Sequence, residues 1–122
     1  MQVPLQITYR DIARSEALDA RIREKAAKLE EFHPRITRCR VVVEQRDRHR
    51  HQGKQFSVKL DLRLPQREIA INRDHHEDVY VALREAFNAA ARKLEEAARE
   101  ARGDVKAHQP PPGGAEPGPE GR

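Results

Sequence analysis

The stretch QFSVKLDLRL, residues 55–64, alternates between polar and apolar side chains along its whole length. Its apolar members are Phe56, Val58, Leu60, Leu62 and Leu64. A period of two residues predicts a β-strand with one buried face and one solvated face. Because one-sided strands of this kind are typical of antiparallel sheets, the stretch predicts a sheet that is covered on one side only.

Weaker strand patterns flank this stretch. Residues 38–46 alternate in the same way, with Cys39 among the side chains expected in the core, and residues 69–71 predict a shorter strand. Residues 3–9 also alternate. Pro4 places this last strand at a sheet edge, because proline lacks the N–H group that an interior ladder needs.

Two amphipathic helices are predicted. The apolar stripe of the first contains Leu18, Ile22, Ala26 and Leu29. Ser15 is its predicted N-cap. The second stripe covers residues 79–97, with a capping box that begins at Asp74 and a stop at Gly103. Tyr80, beside the buried stripe, is expected at the edge of the core.

The predicted element order is β-α-β-β-β-α. Two apolar helix stripes and one apolar sheet face can be buried only against each other. The fold class is therefore α+β, a two-layer sandwich with a four-stranded sheet and two helices on one face. We expect residues 1–108 to form this domain, and residues 109–122, rich in Pro and Gly, to be a disordered tail.

Composition narrows the functional classes. The 122 residues are 36% charged and 4% aromatic, with a formal net charge of +4 and one cysteine. A single cysteine excludes an intrachain disulfide framework. No apolar run reaches the roughly 18 residues of a membrane helix, and the first residues do not resemble a signal peptide. We therefore expect a soluble cytoplasmic protein with no membrane partner.

Catalytic and metal-binding patterns are weak in this sequence. It has no nucleophile elbow and no Gly-rich phosphate loop. His49, His51, His75 and His76 have spacings that match no structural zinc pattern. We expect no enzyme activity, no metal, no cofactor and no small-molecule substrate.

Three segments carry a resemblance to a known family. They are residues 15–18 (SEAL) with 25–30 (KAAKLE), residues 39–43 (CRVVV) and residues 76–83 (HEDVYVAL). In this order and spacing they resemble the bacterial ribosome hibernation factors, which comprise ribosome-associated inhibitors and hibernation-promoting factors and are also called sigma-54 modulation proteins. The resemblance covers roughly residues 3–102. The chain looks like a short form of the family.

The resemblance implies a fold similar to a double-stranded-RNA-binding domain, and a binding function. Family members occupy the small ribosomal subunit near the decoding region, where they block messenger and transfer RNA. Lys25, Lys28 and Arg92 match basic positions that contact ribosomal RNA in the family. Arg21 and Lys93 lie close enough on the helix surfaces to add to them.

The charge distribution departs from the family pattern. Residues 77–102 hold five basic and six acidic side chains, whereas residues 35–54 hold seven basic and two acidic ones. Affinity for RNA comes largely from counterion release at neutralised phosphates. The middle segment therefore adds four candidate RNA contacts, which are Arg46, Arg48, Arg50 and Lys54.

Two alternatives remain open at this stage. The chain could be an RNA-binding module that acts away from the ribosome, which the basic middle segment favours. It could instead be a stress-regulatory interaction module that binds another protein through the open face of the sheet.

Overall fold

The computed structural model describes residues 3–47 and 54–103. The elements are β1 (Leu5–Arg10), α1 (Glu16–Phe32), β2 (Arg38–Asp47), β3 (Lys54–Leu64), β4 (Arg67–His76) and α2 (Val79–Arg102). The predicted β-α-β-β-β-α order and the α+β class are confirmed.

The four strands form one sheet in the order β1-β2-β3-β4. Strands β2, β3 and β4 pair antiparallel, but β1 pairs parallel to β2, so the sheet is mixed. The parallel pair follows from α1, which returns the chain to the start of the sheet before β2 begins. Strand β1 lies at an edge, as Pro4 predicted, and the Pro4 carbonyl accepts a hydrogen bond from the Cys39 N–H at 3.0 Å.

Helix α1 begins as its sequence predicts. The Ser15 hydroxyl oxygen accepts a hydrogen bond from the Leu18 N–H at 3.2 Å, and the Ser15 carbonyl accepts one from the Asp19 N–H at 2.8 Å. Glu16 and Asp19 add negative charge in the first turn, where the helix dipole is positive. The helix ends before Pro34, at His33, whose N–H donates to the Leu29 carbonyl.

The core lies between one face of the sheet and the two helices. Helix α1 contributes the predicted stripe of Leu18, Ile22, Ala26 and Leu29. The sheet contributes Cys39, Val41, Val43, Val58, Leu60, Leu62, Ile69 and Ile71, and α2 contributes residues from Ala82 to Ala90. These side chains are aliphatic apart from Cys39 and Phe87, as expected for a chain with so few aromatic residues.

The predicted start of the second helix is wrong. Asp74 belongs to β4, which continues to His76 and pairs there with Phe56 of β3. The N-cap role falls to Asp78, whose carboxylate accepts a hydrogen bond from the Tyr80 N–H at 2.9 Å. The extended ladder with β3 outweighs the local capping signal at Asp74.

The strict alternation of β3 also fails at one end. Between the Phe56–His76 and Val58–Arg73 pairs, one residue of β3 faces two of β4, which is a β-bulge. Ser57, predicted on the solvated face, lies at this irregularity and is buried, whereas Phe56 is only half-buried.

A polar cluster joins β1 to α1. The Tyr9 hydroxyl donates to Asp19 Oδ1 at 3.0 Å, and Arg23 Nε donates to Asp19 Oδ2 at 2.8 Å. The Arg14 guanidinium lies 5.9 Å from the centre of the Tyr9 ring. Burial, followed by the hydrogen bond to Asp19, raises the pKa of Tyr9 to about 12. The hydrogen bond from Arg23 is the main cause of the lowered pKa of Asp19.

One compact unit ends at Ala91, and a second begins at Arg92 within α2. In the second unit the helix continues to Arg102 and is followed by Gly103 with φ of 83°. Glycine adopts this left-handed conformation without a steric penalty, so the predicted helix stop is confirmed. The predicted tail, residues 109–122, lies outside the described residues.

Candidate nucleic-acid interface

The candidate cations of α1 form one row. Arg21, Lys25 and Lys28 are separated by four and three residues, so they lie on the same side of the helix. Lys28 and Arg21 are exposed, and Lys25 is half-buried, beside the buried Ala26. The apolar stripe that packs on the sheet therefore fixes the direction in which this row points.

Arg21 is engaged within the protein. Its Nε lies 3.6 Å from Glu24 Oε1, and its guanidinium lies 5.7 Å from the centre of the Tyr80 ring. This contact links α1 to the first turn of α2. Tyr80 is 40% exposed, and its ring supports the Arg21 side chain.

Lys25 and Lys28 are not engaged in this way. Among the side chains that the structure describes, no carboxylate oxygen lies within 4.0 Å of either ammonium group. Glu24, which directly precedes Lys25, is paired with Arg21. Binding of an external anion by either lysine would therefore break no ion pair among the described side chains.

Arg92 and Lys93 belong to the second unit. Both are exposed, and neither has an ion pair with a carboxylate in the part of the chain that the structure describes. Their position on α2 is fixed by the buried Leu94, which follows them directly.

The middle-segment candidates are only partly described. Arg46 is exposed at the end of β2, with its Nε 3.7 Å from Glu44 Oε2. Lys54 begins β3 opposite Asp47. Arg48 and Arg50 lie outside the described residues.

Neither helix has a strong charge surplus. Helix α1 carries four basic and five acidic side chains, and α2 carries five basic and four acidic ones. A phosphate-binding surface on these helices would therefore depend on a few well-placed cations rather than on the overall charge of either helix.

Apart from Arg46, the open face of the sheet carries cations that the sequence analysis did not select. The open sheet face consists of the strand residues that alternate with the buried ones and point away from the helices. Its basic members are Arg10, Arg38, Arg40, Arg46, Lys59 and Arg63. Alternation alone could have placed them on this face, but it could not show which of them lack an acidic partner.

The structure offers little for other chemistry. Burial raises the pKa of the Cys39 thiol to about 11, so this side chain is a core residue and a poor nucleophile. Among the described residues, no group of three or more His, Cys, Asp or Glu is placed to hold a metal ion. No helix in the same ranges is long and apolar enough to cross a membrane.

Comparison with solved structures supports the fold. A ribosomal subunit interface protein from Coxiella burnetii matches with a TM-score of 0.68 and 14% identity, over 79% of this chain and 98% of that one. The N-terminal domain of Protein Y from Thermus thermophilus matches with a TM-score of 0.58, with the same identity and coverage. A search of curated proteins found no match.

The family model for sigma 54 modulation protein / S30EA ribosomal protein matches residues 5–102. These bounds coincide with the first residue of β1 and the last residue of α2. The match thus includes all six elements and the predicted helix cations, and the chain belongs to the sigma 54 modulation protein / S30EA ribosomal protein family.

Proposed function

We propose that this protein is a ribosome-associated translation inhibitor of the hibernation type. It binds the small ribosomal subunit near the decoding region and sterically blocks messenger and transfer RNA. The observation that carries the proposal is the family match across all six elements, from β1 to the end of α2. Two structures of the same fold come from a ribosomal subunit interface protein and from Protein Y.

The contacts we assign to ribosomal RNA begin with Lys25 and Lys28. Their ammonium groups have no acidic partner among the described residues, so no internal ion pair has to be broken when they meet phosphate. Arg92 and Lys93 fit the same role on the second unit, for the same reason. Arg21 contributes less, because its guanidinium is already held by Glu24 and Tyr80.

This function requires binding, and no covalent bond is made or broken. Structured RNA is commonly recognised by its shape and its phosphates, and a folded domain with exposed cations suits that mode. In this proposal the protein acts on ribosomes in the cytoplasm, with ribosomal RNA as its partner and without a cofactor.

Cosedimentation with purified small subunits through a sucrose cushion tests the proposal. The unmodified protein should pellet with the subunit, and pelleting should weaken as salt rises. The double variant Lys25→Glu, Lys28→Glu should lose at least about tenfold in affinity, because two phosphate contacts become repulsive. Failure of the unmodified protein to pellet at low salt would contradict the proposal.

A matched control is available on α2. Arg84 and Arg99 are exposed, and neither is assigned a contact. The variant Arg84→Glu, Arg99→Glu changes the net charge by the same amount as the lysine variant. Because neither position has an assigned contact, it should keep most of the affinity. Equal losses in both variants would show that only net charge matters and would remove the assignment of Lys25 and Lys28.

The near-neutral helices favour one alternative, an RNA-binding module that acts away from the ribosome. Such a protein would bind an isolated RNA duplex as tightly as it binds the small subunit. The hibernation function instead predicts a clear preference for the intact subunit.

A further inference from the structure

The open sheet face holds more positive than negative charge. Its six basic side chains are opposed by four acidic ones, which are Glu44, Asp61, Glu68 and Asp74. The described residues as a whole have a surplus of three positive charges, so this face supplies most of it. The helices, in contrast, are balanced to within one charge each.

Half of these cations are paired within the protein. Arg63 Nη1 lies 2.6 Å from Glu68 Oε2, and Arg38 Nη2 lies 3.6 Å from the same oxygen. One carboxylate therefore serves two guanidinium groups at this end of the face. At the other end, Arg46 is paired with Glu44.

The other three cations have no such partner. Arg10, Arg40 and Lys59 have no carboxylate oxygen within 4.0 Å among the side chains that the structure describes. Arg40 lies opposite Asp61 in the strand register without forming an ion pair with it. Their charges are available to an external anion.

These three cations lie on three neighbouring strands of the sheet, from the edge strand β1 to β3. Arg10 is on β1, Arg40 on β2 and Lys59 on β3. Arg10 aligns with Glu44, four residues along β2 from Arg40, which is about 13 Å at the rise of a strand. Three adjacent strands span about 10 Å, so the patch measures roughly 13 by 10 Å.

The chemistry between the cations limits what can bind. The open-face residue between Arg40 and Glu44 on β2 is Val42, with Thr8 and Lys59 beside it in the register. Two carboxylates border the patch, Glu44 beside Arg10 and Asp61 beside Arg40. No aromatic side chain lies on the described open face, so unstacked bases would find no ring to stack on. Arg10 and Lys59 are exposed and Arg40 is half-buried, and such cations without aromatic neighbours suit the phosphates of a structured RNA backbone.

We propose that the open sheet face is a second RNA-binding surface, in which Arg10, Arg40 and Lys59 bind phosphates of the RNA backbone. This inference rests on the proposed function in one respect, namely that ribosomal RNA is the partner. A two-layer domain with phosphate contacts on both faces can bind between two RNA segments.

Neutralising variants test the surface on purified small subunits across a salt series. The variant Arg40→Gln, Lys59→Gln should lower the slope of log affinity against log salt by about two and weaken binding at least about tenfold at low salt. Arg10→Gln should lower the slope by about one more. The conservative variant Arg40→Lys should bind nearly as tightly as the unmodified protein, because it keeps the charge.

The matched control is Arg84→Gln, Arg99→Gln, which removes two charges elsewhere and should leave the slope unchanged. All variants alter surface positions, and an unchanged thermal midpoint would confirm that each is folded. A sheet variant that binds like the unmodified protein would overturn the inference. So would a loss equal to that of the control.

The proposed function can fail separately. If the unmodified protein does not bind small subunits, the hibernation function is contradicted. The same variants are then compared on an RNA duplex of about 16 base pairs, the length that a double-stranded-RNA-binding domain contacts. Loss of duplex binding in Arg40→Gln, Lys59→Gln would support the surface without the ribosome. Equal binding of all variants, or no binding of the unmodified protein, would overturn it.

Discussion

The Tyr9 hydroxyl on β1 donates a hydrogen bond of 3.0 Å to Asp19 on α1. This bond joins an edge strand to the first turn of the helix that covers it. Asp19 also accepts from Arg23 at 2.8 Å, so a single carboxylate holds the strand and the helix surface together. The stability of the N-terminal third of the fold should depend on this carboxylate.

Replacement of Tyr9 by Phe removes the hydroxyl and keeps the ring. We expect a loss of about 1 kcal/mol in the free energy of unfolding, because the bond is partly buried and its acceptor is charged. Urea denaturation measures this loss. Tyr80→Phe is the control and should change stability by less than about 0.5 kcal/mol, since its hydroxyl has no hydrogen bond with a described residue. Similar losses in both variants would contradict the prediction.

Acid should weaken the same cluster. The lowered pKa of Asp19 in the folded state means that its ionised form is stabilised by folding. Its contribution is complete above the pKa of the unfolded chain and is lost as pH falls through the folded value. Between about pH 5 and pH 2, the unmodified protein should therefore lose more stability than Asp19→Asn does. Parallel pH curves for the two proteins in chemical denaturation would rule out this role.

The corrected start of α2 gives a direct comparison between two aspartates. Asp78→Ala should cost about 1 kcal/mol, because its carboxylate caps the Tyr80 N–H. Asp74→Ala should cost little, since Asp74 is exposed on β4 and bonds only weakly, at 3.4 Å, to Asn72. Thermal unfolding of both variants distinguishes the two positions. A larger cost at Asp74 would restore the capping box that the sequence suggested.

The composition of residues 109–122 supports a further prediction, although these residues lie outside the described ranges. Truncation after residue 108 should shift the thermal midpoint by less than about 2 °C, because the segment has no apolar pattern with which to join the core. A larger drop, measured by circular dichroism, would place part of the segment in the folded domain.

The elements of this fold were predictable because their periods are local. The stripe from Leu18 to Leu29 and the alternation from Val58 to Leu62 each indicate burial within one segment. The end of β4 was not predictable in this way. Asp74 lies within β4 because the strand continues past it to His76, which pairs with Phe56 of β3, and no local pattern records that pairing.

The candidate RNA contacts also differ in how far local sequence patterns could predict them. Lys25 and Lys28 were identified from the family resemblance, and their helix spacing places them on one side of α1. Whether an open-face cation has an acidic partner depends on strand register instead. Arg38 and Arg63 share Glu68 because β2, β3 and β4 align them, whereas Lys59 aligns with Val42 and Asn72 and meets no acid.

The parallel pairing of β1 with β2 also bears on how the chain folds. Leu5 pairs with Cys39 only after α1 has crossed over, whereas β3 and β4 meet across two residues. Closing a long loop costs more entropy than closing a hairpin. We therefore expect the β2-β3-β4 meander to form early and β1 to dock late, with backbone amides of β1 exchanging with solvent before those of β3.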